Sequence, residues 1–207
     1  MSLKVGLFNF LNMNKVGWLL GFLCYKLNII KSSPDLYKEK KILNILKKNN
    51  ITIFIETGTL KGKTAIEASK FVKKVYTIEA AKNYYQNLDK TFSKYENIYL
   101  VKGKSQDNLK NIISSDPDCN KLVYLDAHWS GSDTFKQSNE VHSALDEEIN
   151  ILHLMKDRWK FILIDDVRHI KGRNGYPTLN KIYEIFSSDC LITNKNDMIL
   201  IQKITDQ

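Results

Sequence analysis

Residues 51–64, Ile-Thr-Ile-Phe-Ile-Glu-Thr-Gly-Thr-Leu-Lys-Gly-Lys-Thr, constrain the fold more than any other stretch of the 207-residue chain. Strand-forming residues run from Ile51 to Glu56, a turn carries Gly58 and Gly62, and a helical run follows from Lys63 to Lys73. Such a strand–turn–helix lets the backbone approach a ligand and aims the amides of a helix N-terminus at it. Two familiar ligand loops fail on spacing. A phosphate loop has four residues between its glycines, whereas only Thr59, Leu60 and Lys61 separate these two. The G-x-G-x-x-G dinucleotide turn needs a glycine where Leu60 stands. The Glu56 carboxylate would also repel phosphates.

The same alternation continues along the chain. Strands are expected at 51–56, 75–79, 98–101, 122–126 and 161–165, and helices at 36–49, 63–73, 82–94, 106–114, 140–156 and 179–187. Segments 190–193 and 198–202 read as a closing hairpin joined by the four residues Asn194-Lys-Asn-Asp197. Five βα units and a hairpin predict an α/β, doubly wound, mostly parallel sheet of about seven strands with a C-terminal antiparallel hairpin.

Size and composition agree with one such domain, over residues 32–207. The net charge of +8 comes from lysines spread along the whole chain, which describes a solvated surface, so nucleic acid is not the expected partner. Cys24, Cys119 and Cys190 lie far apart without metal spacing and suit a reducing cytoplasm. Residues 1–31 form an apolar helical extension. Its apolar run is short of the ~20 residues a spanning helix needs, and no small-residue cleavage site follows it. The extension packs on the domain, makes a homodimer contact, or lies in a membrane interface with Lys4, Lys15 and Lys26 at the headgroups. Packing on self or a second copy is the favoured reading.

In a doubly wound sheet, ligands bind beyond the carboxyl ends of the strands, near the point where strand order reverses. Here the strand ends carry Glu56, Glu79, Gly103-Lys-Ser105, Asp126-Ala-His128 and Asp165-Asp166. Four of the five are acidic on a basic chain. Glu79 follows Glu56 by 23 positions, a spacing at which a carboxylate takes both hydroxyls of a ribose. Adjacent Asp165 and Asp166 repel unless a cation or proton intervenes. With Asp126 they make an oxygen-rich set suited to Mg²⁺. The competing reading has Asp165 or Asp166 capping the next segment. His128 is placed to take a hydroxyl proton, to coordinate a metal or to bind substrate, and His169 is a rival base. His142 and His153 fall on the helix at 140–156 and read as structural. Trp129, Arg168, Arg173 and Tyr176 lie on polar loops over the same rim, where they suit sugar rings or phosphate.

Glu56-x-Gly58-x-x-x-Gly62 resembles the first motif of class I S-adenosylmethionine-dependent methyltransferases, and Val75-Tyr-Thr-Ile-Glu79-Ala80 resembles their second. The resemblance covers roughly residues 51–170. It implies a Rossmann-like fold with S-adenosylmethionine over Glu56, Thr57, Gly58, Thr59, Gly62 and Thr64. The ribose would lie on Glu79 beside Ala80, the adenine by Ser105, and Asp126 would face the same ligand. Asp126 with Asp165-Asp166 is similar to the metal-dependent O-methyltransferases of the catechol and macrocin types. That likeness implies Mg²⁺ on Asp126, Asp165 and Asp166, binding two vicinal oxygens of the acceptor and lowering the pKa of the one that attacks. The catalytic groups would be Asp126 with His128 or His169 as base, although those enzymes commonly place a lysine or histidine base slightly further on than His128. The turn Glu56-Thr-Gly-Thr-Leu-Lys-Gly62 looks closest to the macrocin-type sugar enzymes, although Val167 stands where they usually place an aromatic. The expected acceptor is a sugar hydroxyl of a nucleotide sugar or glycan. Two other functions fit less well. An RNA or protein methyltransferase would suit the charge, but the Asn-Pro-Pro-aromatic signature of amino-group methylation is missing. The other is a non-catalytic cofactor-binding subunit docking through residues 1–31.

Overall fold

A computed structural model describes residues 15–27, 29–30, 32–127 and 141–204. The chain divides into two units, residues 1–44 and 45–207. In the first, helix α1 (Lys15–Lys26) exposes Leu19, Leu20 and Leu23, and Phe22 stacks on Tyr37 with ring centroids 5.1 Å apart. No helix among the described residues is long and apolar enough to cross a membrane. Helix α2 (Asp35–Lys48) starts just after Pro34 with an acid in its first turn and ends on Lys47 and Lys48. Both charges complement the helix dipole.

The second unit is a seven-stranded sheet. Its strands are β1 (Ile53–Thr57), β2 (Lys74–Glu79), β3 (Ile98–Lys102), β4 (Lys121–Leu125), β5 (Phe161–Ile164), β6 (Cys190–Lys195) and β7 (Met198–Lys203). They lie in the order β3-β2-β1-β4-β5-β7-β6. The first five are parallel, and β7 pairs antiparallel with both β5 and β6. The doubly wound expectation therefore holds, hairpin included, and strand order reverses between β1 and β4. Every residue of β1, β4 and β5 is buried, as expected for the central strands of a sheet covered on both faces.

Connecting helices are α3 (Lys63–Ser69), α4 (Lys82–Phe92), α5 (Ser105–Ser115), α6 (Leu145–Leu154) and α7 (Leu179–Phe186). Alternation along the strands sorts the faces. Ile53, Ile55, Val123, Leu125, Ile162 and Ile164 join Leu109, Ile113, Ile149, Leu152 and Phe186 in one cluster. Phe54 and Tyr124 stack on the opposite face, with ring centroids 6.4 Å apart. Thr57, in phase with the first set, thus faces α5 and α6, and Glu56 faces the other way.

Three expected elements are corrected. The hairpin link is not four residues but two. Pairing continues to Lys195↔Met198, and Asn196 and Asp197 both take positive φ, the backbone of a tight turn that Asn and Asp tolerate. The helix expected over 140–156 is regular only from Leu145 to Leu154. Its start waits for the Ser143 hydroxyl, which accepts from the Leu145 amide at 3.2 Å. Its end is set by the Trp159 indole, which donates to the Leu152 carbonyl at 2.8 Å. Helix α3 stops at Ser69 rather than Lys73, because Lys73 and Lys74 already donate to Thr52 as β2 begins.

Candidate functional site

The glycine turn between β1 and α3 is held by backbone. Gly58 and Thr59 both donate to the Ile78 carbonyl at the end of β2. Gly58 has φ +85, and a Cβ there would stand 2.8 Å from the Asp126 carbonyl oxygen. Gly62, at φ +72, opens α3 against the ring of Phe92. Gly58→Ala would combine left-handed strain with a backbone clash that the end of β4 cannot relieve. Its expected cost is about 2 kcal/mol, read as a lower urea midpoint with unchanged slope.

Glu56 is 2 % exposed. The Thr77 hydroxyl donates to its Oε2 at 2.8 Å, and Thr59 lies 2.6 Å from Thr77. A hydroxyl has one hydrogen, so with Glu56 ionised the chain runs from Thr59 to Thr77 to Glu56. Burial pushes this carboxyl up to about 8; Thr77 and Thr64 pull it down, and the Asp126 and Glu79 carboxylates push it further up. Glu79 spends both oxygens on backbone, Oε2 on the Leu60 amide at 2.8 Å and Oε1 on Ala81 at 2.7 Å. It clasps the turn to the end of β2, and burial raises its pKa. Each oxygen keeps a second lone pair. Ala80 is half-buried beside it, and its amide supports the same carboxylate.

On the β4–β5 side a pocket enclosing about 220 Å³ of empty space, mouth included, is lined by Asp126, Ser143, Glu148, Asp165, Asp166 and Tyr176 among others. The Tyr124 hydroxyl bonds Asp165 Oδ2 at 2.7 Å and lies 3.2 Å from Asp126 Oδ2. Those two carboxylates therefore meet at one phenol, whose own pKa burial and the two acids drive well up. Asp165 Oδ1 accepts from the Asp166 amide at 2.7 Å. Asp166 takes left-handed backbone, φ 56, at the start of the 3₁₀ turn Val167–His169, where its side chain makes no cap bond. Its Oδ1 bonds Arg168 Nη1 at 2.7 Å, and the same guanidinium pairs with Asp197 of the β6–β7 turn.

The metal set implied by resemblance can be tested on this arrangement. Asp126 and Asp165 converge, but Asp166 already faces a cation that belongs to the protein. Among the described residues no three His, Cys, Asp or Glu side chains are placed to hold a metal ion. The residues as they stand do not fit a three-carboxylate magnesium site.

His128 and Trp129 lie outside the described residues. His169 is exposed, its ring 6.0 Å from that of Tyr176. Tyr176 is half-buried, and burial with the Asp166 carboxylate pushes its phenol up to about 12. Arg173 is exposed. His142 precedes α6, and His153 sits edge-on to Phe186 at 6.2 Å. The Ser105 hydroxyl, read in sequence as bordering a base, faces Glu148 together with that of Thr57.

Sequence reasoning overlooked Glu148 and Tyr124. Glu148 is 1 % exposed, and neither carboxylate oxygen has a hydrogen-bond partner. Ser105 and Thr57 lie near enough to lower its proton affinity without reaching hydrogen-bond geometry, and burial outweighs them, raising its pKa to about 7. One signal was available. Glu148 falls on the apolar stripe of α6 with Leu145, Ile149 and Leu152, where an acid has no packing reason to be.

No protein-family model matches the chain, and no curated protein matches its sequence. Its fold is similar to that of the O-methyltransferase TomG from Streptomyces achromogenes, solved with SAM, with a TM-score of 0.60 at 10% identity over 99% of this chain and 96% of that one. It is also similar to an O-methyltransferase from Bacillus cereus in complex with SAH (0.59, 12%, covering 87% of each chain). A third likeness is to the N-methyltransferase NodS from Bradyrhizobium japonicum WM9 (0.53, 9%, covering 82% of this chain and 94% of that one). At such identities the likeness establishes the fold, the Rossmann-like sheet that these transferases share.

Proposed function

We propose that this chain is an S-adenosylmethionine-dependent methyltransferase that methylates a hydroxyl of a small molecule, a sugar hydroxyl of a nucleotide sugar or glycan. One observation carries the reading: buried Glu56 and Glu79 flank the glycine turn at the carboxyl ends of β1 and β2, on a fold whose solved relatives are methyltransferases. The donor supplies an electrophilic methyl group on a positively charged sulfur. Asp126 sets negative charge where that sulfur would lie, Glu56 adds its own by giving up its proton when the sulfonium binds, and Glu79 offers its remaining lone pairs to ribose hydroxyls. The Gly58–Gly62 turn lets backbone approach without a Cβ in the way. Tyr124 holds the Asp126–Asp165 edge, and the rigid strand ends supply the alignment on which an in-line transfer depends. Magnesium enters no step, since Arg168 stands at Asp166.

Calorimetry with S-adenosylhomocysteine should give micromolar binding that changes less than twofold with Mg²⁺. A gain above tenfold would restore the three-aspartate metal site, with Arg168 displaced. Enzyme, labelled donor and a panel of nucleotide sugars and oligosaccharides should give a methylated sugar. Labelled RNA with no labelled sugar would overturn the acceptor class, and no binding of the homocysteine product would overturn the function.

A further inference from the structure

Glu148 is a buried acid of the pocket that the mechanism above leaves without a task. An acid on the apolar stripe of a helix, 1 % exposed and with neither oxygen hydrogen-bonded, is costly to keep. Leucine at the same place would pack. Its surroundings are specific. From β1 come the Thr57 hydroxyl and, on the other sheet face, Glu56. From α5 comes Ser105, and its own helix adds Glu147. From the ends of β4 and β5 come Asp126, Asp165 and Asp166 with Tyr124, and from the loop before α7 comes Tyr176. Arg168, the cation that meets Asp166, is shared with Asp197. Glu148 is thus a buried carboxyl on an acidic rim whose two oxygens have no hydrogen-bond partner.

We propose that Glu148 is the proton acceptor of the reaction: it ionises when the sulfonium donor is bound and takes up the proton that the acceptor hydroxyl gives away. This rests on the methyltransferase reading. In the step itself the sulfur–methyl bond breaks, and its electron pair stays on sulfur as a neutral thioether. A carbon–oxygen bond forms, the acceptor's O–H bond breaks, and the proton ends on the Glu148 carboxylate. The charge change drives the cycle. A sulfonium beside Asp126 offsets the burial penalty, and the lesser repulsion from Asp126, that hold a proton on Glu148, and its loss on transfer restores both just as a proton is released. An acid whose ordinary range is raised toward neutrality is matched to that exchange.

Proton release on binding tests this without an identified acceptor. Titrations of S-adenosylmethionine and S-adenosylhomocysteine into the full chain at pH 7, in two buffers of different ionisation enthalpy, give the protons released by each. The charged ligand should release more, and Glu148→Gln should lower that excess by roughly half a proton, since a group near its pKa is half-protonated. Glu56→Gln should remove the remainder. Homocysteine-product affinity in Glu148→Gln should stay within about threefold, which a general structural defect would not allow. Equal release by the two ligands in the parent chain, or an undiminished excess in Glu148→Gln and in Glu148→Met, overturns the proposal. If neither ligand binds the parent chain, the methyltransferase reading fails first and the proposal with it.

Discussion

Glu56→Gln should unfold later than the parent chain at pH 9, by on the order of 4–5 kcal/mol, and by nothing measurable at pH 4. The figure follows from a carboxyl raised from 4.5 to about 8, chiefly by burial. Below pH 4.5 the group is protonated in folded and unfolded chains alike, and its contribution is fully present. As pH rises toward 8 the unfolded chain ionises while the folded one resists, so stability drains away across that window. Glutamine keeps the shape, still accepts the Thr77 hydroxyl, and cannot ionise. Urea unfolding of both proteins at several pH values measures the difference. Parallel curves would mean that Glu56 is hydrated or paired. The same substitution should weaken S-adenosylmethionine binding about 100-fold, and its neutral product far less, because the charge Glu56 takes on when the sulfonium binds is lost. Stability gained with affinity lost is the signature of a group kept for function.

Gly175→Ala should lose about 3–5 kcal/mol, well beyond what left-handed strain alone costs. Gly175 has φ +84, and a Cβ there would come 1.9 Å from the Ser143 carbonyl oxygen. Both sides of that contact are backbone, so no rotamer change relieves it. The contact also belongs to the seam that closes the pocket. His142 and Ser143 donate to the Asn174 carbonyl, and Asp146 donates to that of Gly175 at 3.0 Å. Parting the seam carries Ser143 and Tyr176 away from Asp126 and Glu148. Gly172→Ala is the control, because its Cβ would meet only the methyl of Thr178, at 2.6 Å, which can turn aside. It should cost about 1–2 kcal/mol. Thermal or urea unfolding of the two variants should separate them clearly; equal losses would mean that the seam yields easily.

The alternation of apolar runs and glycine turns already contained the sheet, its parallel core and its closing hairpin, because strand and helix periods are local properties of a chain. Glu56, Glu79, Asp126, Asp165 and Asp166 could be placed on one rim from their positions at strand ends. What those carboxylates bind to was not local. Asp166 looked like a metal ligand beside Asp165, yet the cation that meets it is Arg168, and the second anchor of that guanidinium is Asp197, 31 residues further on in a turn (197 − 166). Glu79 looked free for a ribose and is also the clasp of the Leu60 turn. Glu148 showed only as an acid on the apolar stripe of its helix, and its role emerged when that helix was laid against Thr57 and Ser105. Sequence order determines which groups reach the rim. Only the packed chain decides how deeply each is buried and which counter-charge it finds, and burial and pairing together decide which of them holds a proton.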